Sequence, residues 1–453
     1  MMKVENRHIV VLGGARSGLA AALLLKRKGA KPFLSDSGSL PDVSRECLKS
    51  AEIPFEENGH SSLAERGDFL IVSPGVPTRS SVVQYYLKSG KKVYSEIELA
   101  SWFNRSPITA VTGTNGKTTV ANWLAHTWKV AGRDHILAGN IGNAFSEQVE
   151  ETSHQRDALL EVSSFQLDHI DSFHPQTGII LNITKDHLDR YDNDFDQYAA
   201  SKFRMTENQA AGDWFIYNAE DSRLRNHAKS LRYSENRPAL MPFSSNREIT
   251  NGAFVRNGEI ILKINQTEEP LMQISELGLS GKHNLQNGMA TALAARANEI
   301  KNEFIRESLK TFEGVKHRLE EIRTVKGVRY INDSKATNVN AVWYALDSLS
   351  VPVVLILGGR DKGNDYTRLA DQLHNKVHTV VAIGEAQKMV REQLASIVPN
   401  LEEAETMKKA VKAAAKRAKR GEAVLLSPAC SSFDMFENYE ARGEAFRQAV
   451  LEL

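Results

Sequence analysis

Short runs rich in valine, isoleucine and leucine recur along the chain and alternate with longer segments of helical pattern. The clearest runs lie in HIVVLGG, FLIVSPG, DALLEVSS, TGIILNIT, VPVVLILGG, HTVVAIGE and AVLLSPAC. Continuous apolar strands separated by helices indicate parallel sheets covered on both faces. Most of these runs end in small polar residues, and open α/β sheets bind ligands at the carboxyl ends of their strands. The pattern therefore predicts an α/β protein with ligand sites at several strand ends.

The runs fall into three blocks, which we expect to be domains comprising residues 1–97, 98–302 and 303–453. A chain of 453 residues is long for a single hydrophobic core, which agrees with several domains. Between residues 219 and 280 the pattern is more polar, and Asn257-Gly258 suits a tight hairpin turn. We interpret this stretch as a small β-rich appendage of the central block.

The composition mainly excludes some classes of protein. The 57 basic and 56 acidic residues give no global field that favours nucleic acid or a membrane. The two cysteines, Cys47 and Cys430, fit a reducing compartment, and no apolar run approaches the ~18 residues of a membrane span. The first residues lack the apolar region of a signal peptide. We therefore expect a soluble cytoplasmic protein, in which the basic stretch 408–422 is a solvated helix ending at Gly421.

The N-terminal turn GGARSG lies between an apolar run and a helical pattern. Gly13, Ala15 and Gly18 occupy the three places of a dinucleotide-binding turn, and Asp36 follows at the end of the next predicted strand. Ala15 replaces the glycine that lets the backbone approach a pyrophosphate. Three interpretations remain open: a nicotinamide or flavin cofactor, another diphosphate ligand, or no ligand.

The segment GTNGKTT gives a stronger signal. Gly113 and Gly116 allow the backbone N–H groups to face phosphate, Lys117 supplies a cation, and the Thr118 hydroxyl suits Mg²⁺. Val111 stands where the longer phosphate loop has glycine, so this loop is shortened. The strand and helix that flank it still predict ATP or GTP binding.

Three further residues of the central block are ambiguous by themselves. Glu161 ends an apolar strand, where a carboxylate is costly unless it is paired or binds a metal, although an ordinary strand-end glutamate remains possible. His187 lies between two aspartates and suits a structural histidine as well as a ligand. The pattern around Lys202 predicts a solvated helix lysine.

The C-terminal block places cations and hydroxyls beside its predicted strands. These residues are Arg318, Lys335, Thr337, Lys362 and Ser432, and the acid Asp333 lies among them. Together they suit an anionic ligand with carboxylates. Cys430 follows an apolar strand without a nearby histidine, so we interpret it as a structural thiol and not as a nucleophile.

With these residues assembled, the chain resembles the Mur ligase family of amide-bond-forming enzymes over essentially its whole length. The shared motifs, in the family's order, are GTNGKTT, GNIG, EVSSFQL, DHLDRY, GKHNLQN, HRLE, NDSKATN, GGRDKG and SPACSSFD. The resemblance implies a Rossmann-like N-terminal domain, a central P-loop-type ATPase domain with a parallel sheet and the β appendage, and a Rossmann-like C-terminal α/β domain. It also implies a monomeric enzyme that uses ATP and two Mg²⁺ ions to add D-glutamate to UDP-N-acetylmuramoyl-L-alanine through an acyl phosphate.

The resemblance also implies roles for individual residues. The expected catalytic residues are Lys117, His187, Lys202 and Lys335. The expected ATP contacts are Gly113, Thr114, Asn115, Gly116, Lys117, Thr118, Thr119, Asn284, Asn287, Arg318 and Asp333. The expected metal site comprises Thr118, Glu161, His187 and a carbamylated Lys202, which reverses the solvated interpretation of that lysine. The expected UDP-sugar contacts are Arg16, Ser17, Asp36, Ser37, Ser73 and Asn140, and the expected D-glutamate contacts are Thr337, Lys362, Ser432, Phe433 and Tyr439.

Some positions depart from the family pattern. Ser17 and Ser37 stand where some relatives have threonine, Arg16 and Phe433 where smaller aliphatics are common, and Tyr439 where phenylalanine is common. These departures affect fine contacts. The alternatives are an oxidoreductase built on the N-terminal turn, a nucleotide-hydrolysing switch or motor, and a sibling ligase that adds another amino acid or extends folate with glutamate.

Overall fold

A computed structural model describes residues 3–186, 188–233, 235–361 and 363–453. Internal contacts divide the chain into two compact units, described separately below. The first unit comprises the chain up to Gly278 together with Asn284–Phe312, and the second comprises Leu279–His283 together with Glu313–Leu453. No helix within the described ranges is both long and apolar enough to cross a bilayer.

The first sheet is a parallel sheet of five strands in the order β3-β2-β1-β4-β5. Its strands are β1 His8–Leu12, β2 Lys31–Ser35, β3 Phe55–Glu56, β4 Phe69–Val72 and β5 Val93–Ser95. Its helices are α1 Arg16–Arg27, α2 Asp42–Ser50, α3 Ser81–Lys88 and α4 Glu96–Ser101. The carboxyl ends of β1 and β4 are neighbours, so the turn after β1 faces the loop after β4.

The second sheet, also in the first unit, has nine strands in the order β14-β13-β12-β11-β10-β9-β6-β8-β7. Its strands are β6 Ile108–Thr112, β7 Asp134–Gly139, β8 Arg156–Glu161, β9 Thr177–Ile180, β10 Trp214–Asn218, β11 Ala239–Ser244, β12 Gly252–Arg256, β13 Glu259–Ile264 and β14 Thr267–Gln273. The strands from β7 to β12 pair in parallel, whereas β13 and β14 continue the sheet antiparallel. The predicted β appendage is therefore an extension of the central sheet.

Helices follow most strands of the second sheet. They are α5 Lys117–Val130, α6 Phe145–Gln148, α7 Ser164–Leu167, α8 Phe195–Phe203, α9 Ser222–Leu231, α10 Lys282–Ala297 and α11 Asn302–Thr311. All five residues of β6 are buried, as expected of a central strand covered on both faces. In the sheet β6 lies between β9 and β8, so the loop between β6 and α5 is at the carboxyl edge beside the ends of these two strands.

The third sheet forms the second unit, with six strands in the order β15-β16-β20-β17-β18-β19. Its strands are β15 Glu320–Val325, β16 Val328–Asn332, β17 Val353–Gly358, β18 Val377–Ile383, β19 Asn400–Ala404 and β20 Ala423–Leu426. Its helices are α12 Val339–Ser348, α13 Ala370–Lys376, α14 Gln387–Leu394, α15 Met407–Arg417 and α16 Tyr439–Leu451. Only the edge strand β15 pairs antiparallel among these strands.

Short 3-10 helices lie between several of these elements. They span Ser62–Glu65, Val149–Glu151, Leu188–Arg190, Arg204–Thr206, Ile274–Glu276, Tyr366–Leu369 and Gly384–Ala386. The three mainly parallel sheets confirm the α/β fold class predicted from the apolar runs.

Candidate active site

The GTNGKTT segment forms a phosphate-type loop between β6 and α5. Gly116 is the residue before the helix and has a φ of 88°, a conformation that glycine adopts without strain. A Cβ on Gly116 would lie 2.7 Å from the Asn287 side-chain oxygen, so the loop and α10 are closely packed. The N-terminus of α5 therefore presents backbone N–H groups and a positive dipole end at the carboxyl edge of the sheet.

Two loop residues expected to contact ATP also brace the loop. The Thr114 hydroxyl donates to the Thr184 carbonyl at 3.1 Å and accepts from the Thr184 N–H at 3.0 Å. The Asn115 N–H donates to Oδ1 of Asn182 at 2.9 Å, and Nδ2 of Asn182 donates to the Asn115 carbonyl at 3.0 Å. Sequence reasoning did not single out Asn182. Its signal would have been its place directly after β9, beside the loop.

Two lysines meet at this loop. Nζ of Lys117 donates to the carbonyls of Gly113 and Thr114, both at 2.8 Å. Nζ of Lys202 donates to the same Gly113 carbonyl at 3.1 Å and lies 4.8 Å from the centre of the Tyr198 ring. Lys202 is only 2% exposed, so its interpretation as a solvated helix lysine was wrong.

Burial determines the protonation of Lys202. Removal from water lowers the pKa of the Lys202 ammonium well below its ordinary value, and the nearby charge of Lys117 lowers it further. Asp186, Asp168 and Glu161 oppose this shift by their negative charges. Burial therefore shifts Lys202 from the ammonium toward the neutral amine.

Glu161 ends β8 beside the loop and is 2% exposed. Its Oε1 accepts from Nδ2 of Asn140 at 3.0 Å, which joins a residue expected at the UDP-sugar to one expected at the metal. Its Oε2 is buried without a hydrogen-bond partner among the residues that the structure describes. A buried carboxylate oxygen in that state is costly, which favours a cation site over an ordinary strand-end glutamate.

Other atoms around the loop fit nucleotide and cation binding as well. Buried side-chain atoms that lack a partner within the described ranges are Thr112 Oγ1, Asn115 Nδ2 and Thr184 Oγ1. Thr118, in the first turn of α5, is buried and supplies a hydroxyl oxygen. Oxygen ligands of this kind suit Mg²⁺. His187, the other expected metal ligand, lies outside the described residues, and no group of three or more His, Cys, Asp or Glu side chains forms a metal cluster in the remainder.

The N-terminal turn has the geometry of a phosphate-binding turn, but its acidic residue, Asp36, accepts hydrogen bonds from the backbone around the turn. A Cβ on Gly18 would lie 1.7 Å from the Gly13 carbonyl, so the helix packs tightly on the turn. The Asp36 carboxylate accepts from the N–H groups of Gly14 at 2.5 Å and Gly38 at 2.8 Å. Ser73 donates to the Gly13 carbonyl at 2.9 Å. Asp36 thus holds the turn itself, which weakens the interpretation that it binds the ribose of a dinucleotide.

The remaining expected UDP-sugar residues are accessible. Arg16 and Ser17 begin α1, where Arg16 is exposed and Ser17 half-buried, and Ser37 is exposed after β2.

Two expected ATP contacts differ in exposure. Thr119, in the first turn of α5, is buried, and Asn284 in α10 is half-buried.

In the second unit, Asp333 is the buried acid at the end of β16. Its carboxylate accepts from the Leu319 N–H at 3.2 Å and from the Ser427 hydroxyl at 2.7 Å. Burial raises the pKa of Asp333 to about 7, although the nearby Arg318 guanidinium opposes the shift. Lys335 follows in the same loop, with its Nζ 5.5 Å from the centre of the Tyr439 ring.

The other residues expected to bind D-glutamate differ in exposure to solvent. Thr337 and Phe433 are exposed, Ser432 is buried, and Lys362 lies outside the described residues. Cys430 is buried against the Tyr366 hydroxyl at 3.0 Å, and burial raises its thiol pKa to about 11, as befits a structural thiol.

Sequence reasoning missed one buried cation in this unit. Arg442 is 1% exposed, and its guanidinium donates to the Ser334 hydroxyl at 2.9 Å and to the Ser334 carbonyl at 2.8 Å. It thereby supports the loop that carries Asp333 and Lys335. An arginine within a helical pattern ordinarily indicates a solvated position, so no local signal marked it.

A phosphate loop with a buried lysine and carboxylate, on a parallel sheet, defines a nucleotide-binding α/β protein with a cation site. Three family models match the chain: the MurD N-terminal domain at residues 8–82, the Mur ligase middle domain at 111–295, and the Mur ligase, glutamate ligase domain at 317–430. The chain belongs to the Mur ligase family.

The similarity to individual proteins covers almost the whole chain. A UDP-N-acetylmuramoylalanine--D-glutamate ligase of Salinibacter ruber is 48% identical, covering 99% of this chain and 98% of the relative. Proteins of the same name from Christiangramia forsetii and Chloroherpeton thalassium are each 44% identical, covering 99% and 100% of this chain and 100% and 99% of the relatives.

Solved structures show the same fold at lower identity. A pseudomurein peptide ligase type C from Methanothermus fervidus matches with a TM-score of 0.60 and 19% identity, covering 99% of this chain and 100% of that one. The UDP-N-acetylmuramate-alanine ligase of Thermotoga maritima matches with a TM-score of 0.60 and 18% identity, covering 99% of this chain and 100% of that one.

Proposed function

We propose that this protein is an ATP-dependent ligase that joins D-glutamate to UDP-N-acetylmuramoyl-L-alanine, with release of ADP and phosphate, in peptidoglycan precursor synthesis. The observation that carries the proposal is the 48% identity to a ligase of that name over 99% of the chain. The phosphate loop, with Lys202 and Glu161 buried beside it, supplies a site for the ATP that such a reaction requires.

The chemistry follows from the weakness of a carboxylate as an electrophile. A carboxylate oxygen of the alanyl group attacks the γ-phosphorus of ATP, the bond to ADP breaks, and an acyl phosphate forms. The amine of D-glutamate attacks the carbonyl carbon, loses a proton, and expels inorganic phosphate. The contribution of the protein is mainly positioning and charge neutralisation.

Residues at the phosphate loop divide this work. Lys117 and the N–H groups at the start of α5 hold the phosphates of ATP. Thr118 would hold one Mg²⁺ and Glu161 with His187 the second, and these ions would neutralise the charge of the two anions that must meet. Lys335 lies near the reacting carboxylate, and His187 serves a second Mg²⁺ or orients the amine.

Carbamylation of Lys202 is part of the proposal. The neutral amine attacks CO₂, a carbon–nitrogen bond forms and the nitrogen releases a proton, which converts the uncharged side chain into a carbamate anion with two oxygens. The lowered pKa of Lys202 favours the neutral amine that this step needs. The carbamate provides oxygen ligands for Mg²⁺ in a site where an ammonium would repel it.

The proposed substrate contacts follow the three sheets. We assign the UDP-sugar to residues 1–97, ATP mainly to 98–302 and D-glutamate to 303–453, with Arg318 and Asp333 as ATP contacts from the last block. The residues proposed to bind D-glutamate are Thr337, Lys362, Ser432, Phe433 and Tyr439. Those proposed to bind the UDP-sugar are Arg16, Ser17, Asp36, Ser37, Ser73 and Asn140. We propose that the enzyme is a monomer in the cytoplasm, and the location agrees with Cys47 and Cys430 forming no disulfide.

The test is phosphate release with ATP, Mg²⁺ and UDP-N-acetylmuramoyl-L-alanine against a panel of amino acids. We expect release only when the UDP-sugar and D-glutamate are both present. Release with ATP alone would indicate a switch or motor, and equal activity with L-glutamate, or activity only with lysine or diaminopimelate, would overturn the assigned specificity. Fluorescence transfer to bound NAD(P)H would instead support an oxidoreductase.

A further inference from the structure

Arg190 connects the two sheets of the first unit through backbone carbonyls. It ends the 3-10 helix Leu188–Arg190, and its guanidinium donates to the carbonyls of the loop after β4. The acceptors are Pro74 at 3.2 Å, Gly75 at 3.3 Å and Val76 at 2.9 Å. One side chain of the central sheet therefore holds three successive carbonyls of the first sheet.

The guanidinium also contacts an aromatic ring. It lies 4.1 Å from the centre of the Phe165 ring, and that ring stacks on Tyr191 at 6.0 Å. Phe165 belongs to α7, which begins three residues after Glu161 at the end of β8. Arg190 is thus held by the segment that leaves the proposed cation site.

The loop it holds forms one wall of the N-terminal phosphate turn. Ser73 donates to the Gly13 carbonyl at 2.9 Å, and a Cβ on Gly13 would lie 3.0 Å from a methyl carbon of Val76. A displacement of residues 74–76 would therefore alter the turn that is proposed to receive the diphosphate of the UDP-sugar.

We propose that Arg190 is a positioning residue that sets the loop of residues 74–76, and with it the UDP-sugar, at a defined place relative to the ATP loop. The inference rests on the proposed function, since it concerns the same UDP-sugar site. A guanidinium has five N–H donors in a planar fork, which suits three carbonyls and an aromatic face together. A lysine ammonium cannot reproduce that geometry, although it keeps the charge.

The experiment compares Arg190→Ala and Arg190→Lys with wild-type enzyme and with Arg133→Ala. Arg133 is a control because it also donates to a backbone carbonyl, that of Asn298, and lies over an aromatic ring, that of Trp128, although it also pairs with Asp157 at 2.7 Å. It follows the far end of α5, away from the phosphate loop. The measurements are KM and kcat for each substrate, the Kd of UDP-N-acetylmuramoyl-L-alanine, the Kd of ATP alone, and the unfolding temperature.

For both Arg190 variants we expect KM and Kd for the UDP-sugar to rise by about tenfold or more, with lower kcat, while the Kd of ATP alone changes less than about twofold. Arg133→Ala should lower the unfolding temperature without a comparable change in either Kd. If Arg190→Ala does not fold, Arg190→Lys alone decides the question.

Equal weakening of ATP and UDP-sugar binding, or kinetics of the Arg190 variants that match Arg133→Ala, would overturn the positioning role while wild-type activity leaves the proposed function intact. A wild-type enzyme that neither binds nor uses the UDP-sugar would overturn both.

Discussion

The ammonium nitrogens of Lys117 and Lys202 lie 2.8 and 3.1 Å from one and the same carbonyl oxygen, that of Gly113. Two amino groups on one neutral acceptor, one of them removed from water, disfavour the charged form of the buried one, although the carboxylates of Asp186, Asp168 and Glu161 oppose this. The pKa of Lys202 is lowered accordingly, and the site is arranged for a negative ligand or for chemical conversion of that lysine.

Replacement of Lys202 tests this conversion. We expect Lys202→Ala to lower ligase activity roughly a hundredfold or more, since ligands and their supports govern metal affinity on that scale. Short-chain carboxylic acids such as acetate should restore part of the activity by taking the place of the carbamate. Lys129→Ala, at an exposed position near the end of α5, is the control and should retain full activity. An active Lys202→Ala enzyme, or a loss that no acid relieves, would rule out the carbamate.

Alanine substitutions at two glycines with positive φ distinguish a general effect of backbone strain on stability from a specific effect on the ATP site. Gly116→Ala would place a Cβ 2.7 Å from the Asn287 oxygen, whereas Gly132→Ala meets nothing within 4 Å. Both should lose about 1–2 kcal/mol of unfolding free energy because both adopt left-handed conformations, and Gly116→Ala should lose more because its Cβ also displaces the Asn287 side chain. Calorimetry should find ATP binding weakened about tenfold or more in Gly116→Ala and unchanged in Gly132→Ala. Similar ATP affinity in the two variants would remove Gly116 from the ATP site.

The stability of the protein should depend on pH through Asp333. Its folded pKa of about 7 lies above the ordinary value of about 3.9, so the folded state favours the protonated acid. The stability this contributes is present below about pH 4 and is lost as pH rises toward about 7, at roughly 1.4 kcal/mol per pH unit.

Asp333→Asn mimics the protonated acid and lacks that loss. Denaturant unfolding of the ligand-free protein should therefore show the variant gaining stability over the wild type as pH rises from about 4 to about 7, then a constant difference. A difference that does not vary with pH would show that Asp333 ionises normally.

The two thiols should differ in reactivity. Cys430 is 1% exposed with a thiol pKa raised to about 11, whereas Cys47 is half-buried. Iodoacetamide should modify Cys430 in the native protein at least about a hundredfold more slowly than Cys47, and at a similar rate after unfolding. Peptide mass spectrometry would identify the site, and rapid native labelling of Cys430 would contradict its burial.

The fold was largely predictable because its main strands are buried on both faces and so appear as continuous apolar runs. All six residues of β17 are buried, and the run VVLILG marked them. The hairpin at Asn257-Gly258 was predictable for a local reason, since both residues adopt positive φ, 51° and 78°.

Features that depend on contacts between residues far apart in the sequence could not be predicted. The basic helix predicted to end at Gly421 ends at Arg417, since Ala418 is extended with a ψ of 139°, and Gly421 donates to the carbonyl of Gly327 in the β15–β16 turn. Lys202 is buried by a contact with Gly113, 89 residues earlier, and Asn182 braces Asn115 across 67 residues. Such contacts leave no periodic trace around the residue, so for Lys202 only the resemblance to a family indicated a functional position.

The most direct test of the central claim uses UDP-N-acetylmuramoyl-L-alanine labelled with oxygen-18 in its alanyl carboxylate. If the carboxylate oxygen attacks the γ-phosphorus of ATP, each turnover with D-glutamate transfers one labelled oxygen to inorganic phosphate, and mass spectrometry detects heavy phosphate together with the glutamyl product. Unlabelled phosphate alongside that product would contradict the acyl phosphate, and phosphate release without product would contradict a ligase.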